Sequence, residues 1–118
     1  MTYTAATLAE ALRQREAKLE DALEQARLAR ENASQAEVDH KRAYAAAYLE
    51  ADGPVEERKA KATLATTDSL LAMQLAADLA RTAQDALNVA RDFLSSGQTI
   101  ASFYRQELEF TRTRSYAA

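Results

Sequence analysis

The stretch Glu37-Val38-Asp39-His40 sets a carboxylate and an imidazole three positions apart, on one face if the segment is helical. Carboxylate-rich di-metal proteins use two such Glu-x-x-His pairs with two further glutamates. Here His40 is the single histidine and cysteine is absent. A second pair could come only from another copy of the chain. The stretch expected to face it, Thr66 to Ser69, offers Asp68 as its one carboxylate. The expectation is therefore a solvated or seam-edge His40, with no metal and no cofactor. Ser34, Ser69, Ser95, Ser96, Ser102 and Ser115 share that one histidine, which gives no nucleophile–base–orienter set. Gly53 and Gly97 are isolated, so no glycine-rich loop can cradle phosphate. The carboxylates alternate with bases at helical spacing, as Glu16 and Glu20 do with Arg13, Lys18 and Arg27. That is the pattern of a solvated helix surface, and a non-enzymatic protein is expected.

Two patches could bind something larger. Tyr44 and Tyr48 lie four apart beside Lys41 and Arg42, and Arg58, Lys59 and Lys61 follow shortly after. Aromatic rings among bases can stack on and neutralise single-stranded nucleic acid. Glu50, Asp52, Glu56 and Glu57 share that region, which favours tyrosines that cap an alanine layer over a nucleic-acid site. The second patch is C-terminal: Phe103, Tyr104, Phe110 and Tyr116 with Arg105, Arg112 and Arg114. The leading expectation is that this tail folds back as a third helix on Leu8, Leu12 and Phe93, or packs equivalently in a dimer. A partner-binding surface anchored by its aromatics and arginines ranks next, and nucleic-acid binding last.

The elements that carry these residues are long helices. Pro54 is the one proline, and the Asp52-Gly53-Pro54 break is the one strong interruption between about Thr4 and Phe93. Helix 1 is expected over about residues 4–51, with Thr4 or Thr7 as N-cap. Its 3-4 spaced seam runs Leu8, Leu12, Arg15, Leu19, Ala22, Ala26, then through Ala29, Ala33 and Ala36 to His40, Ala43 and Ala47. Gly53 suits a helix C-terminus, Pro54 the first turn of the next helix, and Glu56 and Glu57 its positive dipole end. Helix 2 is expected over about 55–95, and Ser95-Ser96-Gly97 is a weaker break. A third helix, or an extension of the second, follows over about 98–113. Folding back at Gly53 pairs positions antiparallel, so that alanines of helix 1 face Leu64 to Leu79. The fold class is all-α: a long antiparallel, coiled-coil-like helical hairpin with a C-terminal third helix or extension, in one domain over 1–118.

With 118 residues, 47% hydrophobic content supplied largely by alanine, and 7% aromatics, the core per residue is thin. Self-association into a bundle of about four to six helices is expected on that ground. A net charge of −3 gives no electrostatic case for a DNA-binding surface. No segment approaches the roughly 18 apolar residues needed to span a bilayer, so a cytoplasmic protein with no membrane partner is expected.

The stretch from His40 to Leu49 (HKRAYAAAYL), followed by Asp52 to Ala62 (DGPVEERKAKA), resembles a family of small helical bacteriophage proteins. In that family a long helix, a short glycine turn and an Arg-Lys-Ala-Lys-Ala-like run precede a helix with a Ser/Gln-rich kink. The likeness covers roughly Ala36 to Arg105 in layout and about 20 residues in motif. These proteins are uncharacterised and are encoded near phage single-strand annealing or recombination genes. The resemblance implies an accessory role in phage DNA recombination or replication, exerted by protein–protein contact in the host cytoplasm. Inhibition of a host protein, for takeover or anti-defence, and direct single-stranded nucleic-acid binding are the alternatives.

Overall fold

The computed structural model describes residues 4–117; the side chains of residues 115–117, Tyr116 among them, lie outside that description. Three helices follow one another: α1 over Ala5–Glu50, α2 over Val55–Ala65 and α3 over Thr67–Ala117. No strand occurs among the described residues. The fold is an all-α antiparallel helical hairpin.

Thr4 starts α1. Its Oγ1 accepts from the Thr7 amide at 3.2 Å, and its own amide donates to Thr7 Oγ1 at 2.9 Å. This is a reciprocal cap in which Thr7 stands where a glutamate often does. Glu10 is engaged by Arg13 instead, at 2.8 Å. At the turn, Gly53 has φ 111°, where a Cβ would stand 2.6 Å from Glu57 Oε2. Pro54 follows at φ −63° and Glu56 and Glu57 occupy the first turn of α2, as the residue order predicts.

A break at Thr66 divides what the sequence predicts as one helix over 55–95. Thr66 has φ −116° and ψ 19°, and its Oγ1 donates to Ala62 O at 2.7 Å. Thr63 Oγ1 donates to Lys59 O and Thr67 Oγ1 to Thr63 O in the same manner. Threonine hydroxyls that bond back to the preceding turn compete with the helix ladder and bend it. The expected break at Ser95-Ser96-Gly97 is absent. There Thr99 Oγ1 donates to Ser95 O at 3.1 Å and α3 runs on without a kink, so the C-terminal segment is an extension and not a folded-back third helix.

The contacts fall in two units, Met1–Leu23 with Ala86–Ala118 and Glu24–Asp85. In the second unit α1 turns through α2 and α3 returns beside it, with Ala26, Ala62 and Thr66 buried. The alanine seam of α1 is buried or half-buried at every position from Ala26 to Ala47. On the α3 side Ser69, Leu70, Met73, Ala76 and Ala80 are shielded. The larger leucines expected to fill this interface do not: Leu64 is 79%, Leu71 57%, Leu75 61% and Leu79 56% exposed. The small residues of α1 are met by a mixed row on α3, and Leu71, Leu75 and Leu79 stand on its outer face.

In the first unit Leu8, Leu87, Ala90 and Gly97 are buried. Arg15 sits within the α1 seam, half-buried, with Leu12 and Gly97 beside it. Phe93, expected in a three-helix core, lies at the surface under the Arg15 guanidinium.

Candidate interaction surface

Every residue from Arg105 to Arg114 is exposed. The expected tail residues therefore divide. Phe103 at 63% and Phe110 at 67% are open to solvent, joined by Leu108 at 51%. Arg105, Arg112 and Arg114 are exposed as well, while Tyr104 is half-buried. Phe103 and Phe110 stand seven positions apart on one side of α3 and flank a shallow depression with Gln106, Glu107 and Thr111. An isolated helical segment of this length is marginal in water, and its apolar side is unsatisfied.

The row extends backward on the same helix. In the first unit Val89 and Phe93 are exposed at the 3-4 spacing that leads through Ser96 and Ile100 to Phe103. In the second unit Leu75 and Leu79 are spaced in the same way. Thus in each unit α3 carries, besides the residues shielded against α1, a row of large apolar residues facing out. The sequence shows both, since Leu75, Leu79, Val89 and Phe93 are out of phase with Met73, Ala80, Leu87 and Leu94.

The basic, aromatic tip is brought together but is internally occupied. Lys41 pairs with Glu37 at 3.0 Å, Lys59 with Glu56 at 3.5 Å and Lys61 with Glu57 at 3.3 Å. Lys61 Nζ also donates to Asp52 O at 2.9 Å. Arg58 is half-buried with its guanidinium 6.0 Å from the Tyr48 ring centroid. Tyr44 and Tyr48 are half-buried, and Arg42 is exposed. Tyrosines seated at the seam and lysines held by glutamates leave little free charge or open ring face for phosphate and bases.

One chemically suggestive contact joins His40 Nδ1 and Ser69 Oγ at 2.8 Å. Ser69 donates its own hydrogen to Thr66 O at 3.0 Å, so the imidazole N–H donates to the serine oxygen. A hydroxyl whose proton is committed to a carbonyl is not activated as a nucleophile. The pair ties α1 to the break at Thr66. Pairing near the turn makes this contact foreseeable, because Thr66 to Ser69 was expected to face His40. Glu37 turns to Lys41 and not to a shared centre with His40. Among the described residues no group of three His, Cys, Asp or Glu side chains is placed to hold a metal ion, and no helix is long and apolar enough to cross a membrane.

Comparison with known protein families, curated proteins and solved structures finds no match. What the geometry offers is a surface: an apolar row on α3, with charged residues around it, that can receive another helix.

Proposed function

We propose that this chain is a non-enzymatic helical interaction module whose working surface is the outer face of α3. One observation supports it above the others: Arg105–Arg114 forms a helical segment exposed at every position, and Phe103, Leu108 and Phe110 lie on it or at its edge. Helical proteins cover such rows by docking another amphipathic helix. The setting suggested by the phage resemblance is assistance to DNA recombination or replication in the host cytoplasm, through an annealing or single-strand-binding protein. An inhibitor of a host protein would use the same face.

The test pairs two measurements on the full chain. Purified phage annealing protein is titrated against the wild type and against Phe103→Ala plus Phe110→Ala, and a fluorescent single-stranded oligonucleotide is titrated over a range of salt. The expected result is protein binding that tolerates salt and weakens at least tenfold in the double variant. Oligonucleotide binding that collapses as salt rises, with the aromatic variant unaffected, would make the chain a nucleic-acid binder instead.

A further inference from the structure

We infer that the outer face of α3 in the first unit is covered by a second copy of this chain, the two α3 helices running antiparallel. This rests on the interaction-module reading above and names the occupant of its surface. The row there is Val89, Phe93, Phe103 and Phe110, all exposed, with half-buried Ile100 and with Ser96 and Glu107 at the intervening 3-4 positions. Antiparallel pairing of such a row with itself, one heptad position against its complement, sets Phe93 against Phe110 of the second copy. Ile100 then meets Phe103 of the second copy, and Ser96 meets its Glu107.

Two features of this register are self-complementary. Two phenylalanine pairs close the ends of the contact by symmetry, and aromatic pairs favour such packing. Glu107, the one charge inside the row, meets a cationic site. Arg15 Cζ lies 3.7 Å and Lys18 Nζ 5.3 Å from the Phe93 ring centroid, one turn from Ser96. A carboxylate arriving at Ser96 finds both cations and a hydroxyl. Parallel pairing would set Glu107 against Glu107.

The area also fits. Val89 is 68%, Phe93 42%, Phe103 63% and Phe110 67% exposed. Together these side chains offer about 400 Å² of apolar surface per copy. A stable pairing buries about 800 Å² per partner, a little over half of it apolar.

The chain has no cysteine, so single cysteines report cleanly. Ser96→Cys and Glu107→Cys chains are purified separately, mixed and oxidised, and wild type is run by sedimentation equilibrium from about 1 to 200 µM. The inference predicts a wild-type dimer. It also predicts a mixed disulfide between the two variants about tenfold over either self-linked product. Glu107→Lys should raise the dimer dissociation constant about tenfold, and Lys18→Glu should restore it. Self-linked products in excess would show a parallel pairing and overturn the arrangement. A wild-type monomer at every concentration would overturn self-pairing altogether. If that monomer still needed Phe103 and Phe110 to bind the annealing protein, the interaction-module reading would stand without this one.

Discussion

The Arg15 guanidinium lies 3.7 Å above the Phe93 ring, and its Nη1 donates to the Phe93 carbonyl at 2.6 Å. A charged side chain at a seam position thus reaches across to the backbone of α3. Gly97 makes room for it: a Cβ there would stand 2.9 Å from Arg15 Cδ and 3.1 Å from Leu12 Cδ2. Glycine inside a helix costs about 1 kcal/mol relative to alanine, and here that cost secures the Arg15 contact.

A double-mutant cycle exposes the coupling. Gly97→Ala should destabilise the wild type by about 1 kcal/mol, because the Cβ displaces Arg15 from Phe93. In an Arg15→Ala background the same change should cost nothing or stabilise by up to about 0.5 kcal/mol, the helix-propensity gain offset by the remaining contact with Leu12 Cδ2. Urea unfolding of the four proteins measures both. Additive effects would mean that Gly97 serves something other than Arg15.

Gly53→Ala should cost about 1–2 kcal/mol. The residue sits at φ 111°, and the new Cβ would meet Glu57 Oε2 at 2.6 Å. Gly53→Ala combined with Glu57→Ala should recover the steric part and not the backbone part. Thermal unfolding followed by circular dichroism separates the two.

Much of this was legible beforehand. The twelve-position seam of α1 from Leu8 to Ala47 is shielded at each position, and Gly53-Pro54 turns the chain as expected. Contacts such as Arg15 with Phe93 and Tyr48 with Arg58 keep close to the antiparallel register set by that turn. What was misread was the direction of the large side chains. Counting leucines on helix 2 as core ignored that Leu71, Leu75 and Leu79 are out of phase with Leu70, Met73 and Ala76, which seal the seam. The break at Thr66 was missed because it comes from hydroxyls bonding to their own helix, with no glycine or proline to mark it. Gly97 read as a helix breaker when its meaning lay in a residue far away in sequence, Arg15.

Ser69→Ala should destabilise by about 1 kcal/mol. It removes the acceptor of His40 Nδ1 at a half-buried site beside the Thr66 break. Ser69→Thr, which keeps the hydroxyl, should cost less. Equal losses in the two variants, read by urea midpoints, would remove this contact from the account.

Acid should weaken the helix surface in a defined direction. The hydrogen bond from Arg13 holds Glu10 below its ordinary value of 4.5, and that from Arg27 does the same for Glu24. A carboxylate with a lowered folded value contributes fully above its unfolded value and loses that contribution as pH falls through the folded one. Unfolding midpoints should therefore hold steady down to about pH 4.5 and decline below it. Glu10→Gln with Glu24→Gln should flatten part of the decline.

The outer face of α3 is either a working surface or bare helix, and local opening distinguishes the two. Hydrogen exchange of the amides from Arg105 to Thr113 tests this directly, measured at about 1 µM and about 200 µM chain and again with saturating annealing protein. A helix exposed on all sides opens readily, so low protection is predicted in the dilute chain. At least tenfold slowing is predicted when the face is covered at high concentration or by the partner. Rapid exchange of this segment in every condition, with partner bound, would contradict the assignment of α3 as the interaction surface.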